Sequence, residues 1–264
     1  MKAAVLGSPI AHSRSPELHR AAYAALGIRW TYERYEVGSG GLAGFVAAHA
    51  GEFRGLSLTM PLKEEAFAVA EQHDVASTLT RVCNTLVLDS PIMGYNTDVI
   101  GFVEALRYRG VSVPEAATIL GTGATARSAL IAMLEFGVKR VHVVGRRAEA
   151  LTDFVTWAPT EAITTSDWNG RWDPTGLTIS TTTAGATDDV ALPDQLGTLF
   201  EVIYAPWPTK FAKRWAEGGG IVLGGIDLLV HQAAEQVLLM TQTDAGARSR
   251  IVHAMYETVG ESGA

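Results

Sequence analysis

The stretch Thr118-Ile-Leu-Gly121-Thr-Gly123-Ala-Thr-Ala126-Arg127 reads as a short buried strand, a glycine turn and the first turn of a helix. Its Gly121-x-Gly123-x-x-Ala126 spacing matches the glycine fingerprint of dinucleotide-binding βαβ units, with alanine in the permitted third place. The first glycine allows a tight turn, and the second lets the backbone approach a pyrophosphate. Small Ala126 lets the helix pack close to the sheet. The N–H groups at the helix start are then available to phosphate oxygens. Glycine turns that serve only helix–sheet packing share this spacing, so its weight comes from standing between a strand and a helix.

The next strand, Val141-His-Val-Val144, ends in Gly145-Arg146-Arg147. Sites for NAD usually place Asp or Glu about 20 residues beyond the glycines, where a carboxylate accepts the free ribose 2′-hydroxyl. Here the first acid is Glu149, behind two guanidinium groups that suit a phosphate dianion. Arg127, in the first turn of the preceding helix, is within reach of the same group. The pattern favours NADP over NAD, although two arginines after a strand can also simply solvate a loop.

The chain has 264 residues, 47% of them hydrophobic and 19% charged, as in an ordinary soluble domain pair. A net charge of -7 argues against nucleic acid as a partner, so any anionic small molecule must be held by local groups. The single cysteine, Cys83, excludes an internal disulfide. No apolar run approaches the roughly 18 residues of a membrane span, and the first residues are too short an apolar run for a signal peptide. These features lead us to expect a cytoplasmic protein.

Strand and helix alternate along the chain, which favours an α/β fold with parallel sheets. In the first part we expect strands at Ala3–Leu6, Tyr32–Val37, Gly55–Thr59, Val82–Leu88 and Ile92–Tyr95, the last two joined by the turn Asp89-Ser-Pro91. Ser15-Pro16-Glu17 opens a helix, with Ser15 as its cap, that closes at Gly27. Further helices are expected over Leu42–His49, after Pro61, and from Asp98 to Arg109. In the second part we expect strands at Ile119–Gly121, Arg140–Val144, Leu177–Thr181, Val202–Tyr204 and Ile221–Leu223, and a helix over Thr125–Glu135 stopped by Gly137. From near Ile226 the chain returns to helix.

Several polar residues stand out against this frame. Ser13 and Ser15, at the positive end of a helix, make a carboxylate cradle, though capping alone would explain Ser15. Lys63, near a helix start, is electrostatically misplaced. That position should lower its pKa, as suits a proton donor to a carbonyl. Surface decoration is the alternative. Asn84-Thr85 and Asn96-Thr97-Asp98 are polar clusters beside apolar strands. Asp98 can be only a helix cap, or it can hold the Lys63 ammonium. Gln232 falls on the apolar face of the last helical region and needs hydrogen-bond partners there.

Taken together, these motifs resemble the shikimate dehydrogenase family, nearly end to end. The family's Ser-x-Ser-Pro is Ser13-Arg14-Ser15-Pro16, its Asn-Val-Thr-x-Pro-x-Lys is Ser57-Leu-Thr59-Met-Pro61-Leu-Lys63, and its Ala-Val-Asn-Thr is Val82-Cys83-Asn84-Thr85. Asn96-Thr97-Asp98 and the glycine loop are kept, and the arginine of its Asn-Arg-Thr motif matches Arg146. Tyr204-x-Pro206-x-x-Thr209 and Gly225-x-x-x-Leu229-x-x-Gln232-Ala-Ala follow as well. The first motif and Tyr204-Ala-Pro-Trp-Pro-Thr209 look like the actinobacterial branch.

The resemblance implies NADPH-dependent, reversible reduction of 3-dehydroshikimate to shikimate in chorismate biosynthesis. It implies an N-terminal α/β substrate domain (1–100 plus 226–264, the latter a C-terminal helical return) and a Rossmann-type, doubly wound NADP-binding domain (101–225). Lys63 and Asp98 would be the catalytic pair, and Ser13 and Ser15 would bind the ring carboxylate. Thr59, Asn84, Asp98 and Gln232 would hold the hydroxyls, with Tyr204 also at the substrate. Gly121, Thr122, Gly123, Ala124, Thr125, Arg127, Arg146, Arg147, Thr182, Val202 and Gly225 would contact NADP. No metal is implied, and the expected assembly is a monomer or homodimer. Departures from the family pattern include Ser57 for asparagine, Arg20 after His19, Ser180 for asparagine, Tyr95 for aspartate, Arg81 for glycine, and Gly145 and Arg147 flanking Arg146. They bear on cofactor preference and substrate breadth. The nearest rivals are an NAD-linked quinate or quinate/shikimate enzyme and a catalytically silent nucleotide-binding paralogue.

Overall fold

The computed structural model of the protein describes residues 1–168, 172 and 175–260. It divides into two compact units, one of Met1–Gly101 with Leu229–Ala264 and one of Phe102–Leu228.

The first unit comprises β1 (Lys2–Gly7), α1 (Ser15–Leu26), β2 (Thr31–Glu36), α2 (Leu42–Ala48), β3 (Gly55–Leu58), α3 (Lys63–Val69), β4 (Gln72–His73), α4 (Val75–Thr80), β5 (Thr85–Val87) and β6 (Met93–Tyr95). Helix α5 (Thr97–Tyr108) starts in this unit and ends in the other. The sheet order is β2-β1-β3-β5-β6-β4. Strands β1, β2 and β3 are parallel, whereas β5 runs antiparallel to β3 and β6 antiparallel to β5. That reversal matters for function. The carboxyl end of β3, the start of β5 and the carboxyl end of β6 meet at one edge, with Ser57 opposite Thr85 and Thr85 opposite Tyr95. Leu6, Leu42, Leu56, Leu58, Leu62 and Leu86 fill the core between this sheet and its helices.

The second unit comprises β7 (Ala116–Leu120), α6 (Ala124–Phe136), β8 (Arg140–Gly145), α7 (Ala148–Trp157), β9 (Ile163–Asp167), β10 (Leu177–Ser180), β11 (Thr198–Glu201), α8 (Lys210–Glu217) and β12 (Ile221–Leu223). Helix α9 (Gly225–Thr241) starts here and carries the chain back to the first unit, where α10 (Arg248–Val259) packs against α1. All pairs in this sheet are parallel, in the order β12-β11-β10-β7-β8-β9. This is the doubly wound order, and its switch point lies between β7 and β10, where such sheets bind ligands beyond the strands' carboxyl ends. The core on one side stacks Trp172 on Trp215, whose indole Nε1 donates to the Gly197 carbonyl at 3.0 Å. No helix among the described residues is long and apolar enough to cross a membrane.

Four expectations change in detail, the first being the strand expected over Val82–Leu88, which is only Thr85–Val87. Residues Val202–Tyr204 are not a strand: the ladder is Thr198–Glu201, the Val202 amide makes its last bond, at 3.1 Å to the Ser180 carbonyl, and the chain leaves the sheet at Ile203. The Ile203 amide donates to the Glu201 carboxyl at 3.4 Å instead of to a neighbouring strand, and Pro206 and Pro208 beyond lack N–H donors. Ser15 does not cap α1, because the cap position is Arg14 and carries no side-chain cap bond. The helix after Pro61 begins only at Lys63. Helices α4, α7 and α8 and strands β4 and β9 had no counterpart in the pattern reading.

Candidate active site

Lys63 is the first residue of α3, and its backbone carbonyl accepts the Cys83 amide at 3.0 Å. Its Nζ donates to Asp98 Oδ2 at 2.5 Å, with side-chain exposures of only 15% and 5%. The Asp98 charge thereby offsets the unfavourable placement of an ammonium at a helix start. A pair this buried stands only if both charges are present, since removing one partner costs about 3–5 kcal/mol.

Asp98 is not spent on capping α5. Asn96 does that work: its Oδ1 accepts the Asp98 amide at 3.2 Å, and its Nδ2 donates to Thr80 Oγ1 at 2.8 Å. The second carboxylate oxygen, Oδ1, accepts Asn84 Nδ2 at 2.8 Å. Asn84 is fixed from its other end, where Oδ1 accepts the Thr97 amide at 2.9 Å, the Thr97 hydroxyl at 3.1 Å and the Thr85 hydroxyl at 2.9 Å. Its Nδ2 also lies 3.5 Å from Gln232 Oε1, and Gln232 Nε2 donates to the Leu229 carbonyl at 2.8 Å. Gly101, three residues beyond Asp98, makes this last approach possible. A Cβ there would sit 2.9 Å from Gln232 Cβ and 3.1 Å from its backbone nitrogen.

Four distant sequence positions, 63, 84, 98 and 232, are thus bonded into one cluster. Thr59 lies at the same edge, its amide donating to the Leu6 carbonyl and its carbonyl accepting the Leu62 amide. It packs so tightly on Gly7 that a Cβ there would fall 2.4 Å from Thr59 Cγ2. Ser13 stands on the loop leaving β1, where the Ser8 amide donates to the Met60 carbonyl at 3.0 Å, and Ser15 is the first residue of α1. Ser13 Oγ accepts the Ser15 amide at 3.4 Å, so capping does not account for the Ser15 hydroxyl. Chemically, the cluster offers an ammonium with two N–H bonds beyond the ion pair, a carboxylate to retain it, and amide groups for hydroxyls.

Behind this cluster lies a set of residues that pattern reading passed over. Gln236, one helical turn past Gln232, is buried and bonded to His19, Ser57, Thr85 and the Asn84 carbonyl. Two glutamines four residues apart on one buried helix face were the available signal. His19 is fully buried, stacked on Tyr32, and burial pulls its pKa down to about 3. Cys83 is buried too, its thiol pushed up to about 12, which makes it a poor nucleophile.

In the second unit Gly121 (φ +116°) turns the chain after β7, and a Cβ there would strike Thr181 Oγ1 at 2.6 Å. Gly123 caps α6 with no side chain, and a Cβ on it would meet open space. The first amides of this 13-residue helix, on Ala124 and Thr125, are therefore left for an anion. Thr122 neighbours Gly145, and Thr182 neighbours Gly121, across the switch point. Val202 and Gly225 are in backbone contact, since a Cβ on Gly225 would fall 2.1 Å from the Val202 carbonyl oxygen. Tyr204 is on the loop after β11.

Arg146 and Arg147 are exposed at the end of β8, and neither is in an ion pair among the described residues. Arg127 is placed differently. Its guanidinium lies over the Trp157 ring, 5.8 Å from the centroid, at the far end of α7 from Arg147. This donor set fits a phosphorylated dinucleotide: uncapped amides for the pyrophosphate, two unpaired guanidinium groups for a further phosphate. Glu201 ends β11 fully buried, and burial pushes its carboxyl up to about 7.

The chain is similar to known proteins over most of its length. The family of shikimate dehydrogenase substrate binding domains matches residues 5–86. The shikimate dehydrogenase (NADP(+)) of Methylobacterium radiotolerans is 34% identical over 248 residues, covering 88% of this chain and 88% of its own. The crystal structure of Mycobacterium tuberculosis shikimate dehydrogenase is 34% identical, with a TM-score of 0.83 over 97% of this chain and 99% of that one. The Thermus thermophilus shikimate 5-dehydrogenase, in complex with NADP(H) and shikimate, is 27% identical with a TM-score of 0.86, over 98% of this chain and 99% of that one.

The buried histidine gives a test of the network. Unfolded, His19 takes a proton near pH 6.5, but folded only near about 3. Between these values the unfolded chain binds the extra proton, so stability is complete above the unfolded pKa and falls as pH falls. From about pH 6.5 to about pH 4.5, wild type should lose about 2–3 kcal/mol more unfolding free energy than His19→Gln. Urea titrations at the two pH values measure this; equal losses would mean that His19 is not held neutral.

Proposed function

Since the chain belongs to the shikimate dehydrogenase family, we propose that it catalyses the reversible, NADPH-dependent reduction of 3-dehydroshikimate to shikimate. The observation that carries this reading is the buried Lys63–Asp98 pair, with Asn84 and Gln232 bonded behind it. A solvent-shielded ammonium held by a carboxylate is the equipment for interconverting a ketone and an alcohol.

Ser13 and Ser15 bind the ring carboxylate at the start of α1. Thr59, Asn84 and Gln232 hold the ring hydroxyls, and Tyr204 adds a further contact to the substrate. Lys63 donates a hydrogen bond to the carbonyl oxygen of 3-dehydroshikimate and gives it a proton as the carbon is reduced. In the reverse direction it takes the alcohol proton back. Asp98 keeps the ammonium aimed and balances its charge, and Asn84 keeps Asp98 as an acceptor. NADPH, when bound, supplies the hydride.

The amides at the start of α6 hold the pyrophosphate, with Gly121, Thr122, Gly123, Ala124 and Thr125 lining it, and Thr182, Val202 and Gly225 flank the remainder of the nucleotide. Arg146 and Arg147 take the 2′-phosphate. We assign Arg127 a packing role beside Trp157, because ten residues of α7, about 15 Å of helix, separate that ring from Arg147. The protein acts in the cytoplasm on free metabolites, as a monomer or homodimer.

Steady-state oxidation of shikimate and of quinate, each with NADP and with NAD, tests the assignment. Shikimate with NADP should be the preferred pair; faster turnover of quinate with NAD would replace it. Lys63→Ala should lower kcat for shikimate oxidation by at least about 10²–10⁴, and a loss of less than tenfold would remove Lys63 from proton transfer. Arg146→Ala should raise KM for NADP about tenfold or more, the worth of a charge-assisted hydrogen bond, and leave turnover with NAD unaltered. Equal losses with both nucleotides would contradict the 2′-phosphate role.

A further inference from the structure

We propose that Gln236 is a positioning residue for the reaction: its buried amide, through Thr85 and together with the Thr97 amide, holds Asn84 with its Nδ2 end towards Asp98. This role rests on the assignment of Lys63 and Asp98 given above.

The direction of each hydrogen bond follows from the groups themselves. One end of the Gln236 side chain lies 3.3 Å from the Asn84 backbone carbonyl, which can only accept, so that end is the NH₂. Its second N–H goes to Thr85 Oγ1 at 3.0 Å. The Thr85 hydroxyl, having accepted there, donates its own proton to Asn84 Oδ1 at 2.9 Å. Asn84 Oδ1 is thus held by this hydroxyl and by the Thr97 amide at 2.9 Å, so Asn84 presents Nδ2, not oxygen, to Asp98 at 2.8 Å. The reverse orientation would set a carbonyl oxygen against a carboxylate where little water can screen them.

The opposite end of Gln236 is equally constrained. Oε1 accepts the Ser57 hydroxyl at 2.7 Å and lies 3.2 Å from His19 Nε2, which must therefore carry the ring proton. His19 Nδ1 is then the acceptor for Tyr23 OH at 3.3 Å, and Tyr32 OH donates to Ser57 Oγ at 2.6 Å. A neutral His19 satisfies this set; a charged one would make the Tyr23 hydroxyl accept at Nδ1 and take away the acceptor for the Tyr23 proton. Both N–H donors and both lone pairs of the Gln236 amide are used, at 1% exposure.

The place of Ser57 gives this arrangement its meaning in this chain. The shikimate dehydrogenase pattern has asparagine there, with an amide of its own. Serine is shorter and brings none, and the amide beside it comes from Gln236 on α9. Gln236 touches none of the groups that would meet substrate except through Thr85 and Asn84, so its effect should appear in turnover rather than in cofactor binding.

The test compares wild type, Gln236→Leu, Gln236→Glu and Tyr23→Phe in shikimate oxidation with NADP, with melting followed in parallel. Leucine removes every hydrogen bond, whereas ionised glutamate keeps the size and the accepting side but cannot donate to Thr85. We expect kcat to fall about tenfold or more in both, the worth of one buried hydrogen bond, with KM for NADP unchanged. Tyr23→Phe, which alters only the far end of the network, should keep wild-type kcat. Unchanged kcat in either folded Gln236 variant would overturn the role. So would failure of both variants to fold, or an equal loss in Tyr23→Phe, since either outcome makes the network a matter of stability alone. Absence of shikimate oxidation in wild type would overturn the parent reading and this role with it, and is told apart by the wild-type trace.

Discussion

Everything in the first unit is arranged around the cost of keeping Lys63 and Asp98 away from water. Two charges at 2.5 Å, with 15% and 5% of their side chains exposed, repay their desolvation only if the more deeply buried carboxylate has both oxygens satisfied. The Asp98 carboxylate meets that condition by accepting from Lys63 on one oxygen and from Asn84 on the other. Asn84 is held in turn by accepting from Thr97 twice and from Thr85. The ion pair is thus the outermost link of a chain of neutral donors and acceptors running into the core, and its geometry is only as fixed as that chain.

Topology makes such a chain possible. In a wholly parallel sheet, the residue preceding a strand lies at the opposite edge from the residue following one. Because β5 is antiparallel to β3, Asn84, which precedes β5, lies beside Thr59, which follows β3. Because β6 reverses again, Asn96, Thr97 and Asp98 follow it to the same edge. Gly101 then lets α9 come close enough to add Gln232. The mixed sheet collects one edge's worth of side chains from four separate segments, which a parallel order would have split between two.

Local chemistry explains what the sequence revealed and what it did not. The glycine loop was legible because Gly121 must adopt φ +116° and Gly123 must leave a helix start uncovered, conditions that few residues meet. Lys63, Asn84, Asp98 and Gln232 were legible as types out of place, but only motif order connected them. Ser15 was misread as a cap because serine before proline is a strong cap signal, yet here Arg14 holds that position. Val202–Tyr204 looked like a strand by apolar content, and the buried Glu201 carboxyl that draws the Ile203 amide out of the ladder leaves no periodic trace. Gln236 was missed for the same reason: a buried amide among apolar neighbours acquires a function only from what the fold brings opposite it.

The overall charge sharpens the argument for local control. A chain of net charge -7 repels both a carboxylate substrate and a dinucleotide carrying several phosphates. Attraction has to come from groups that are positive where the ligand sits and nowhere else. On the proposed assignment, the second unit does this with the uncapped start of α6 and with Arg146 and Arg147, which have no acidic partner among the described residues to neutralise them. The first unit does it with an ammonium whose charge is balanced by Asp98, so that its donors stay directed while its long-range field is small. A dinucleotide is thus met by full charges in an exposed setting, and a small hydroxylated acid by oriented dipoles in a buried one. That division follows from ligand chemistry: phosphate dianions reward charge, whereas telling one hydroxylated ring from another depends on hydrogen bonds that would be left unmade with the wrong one.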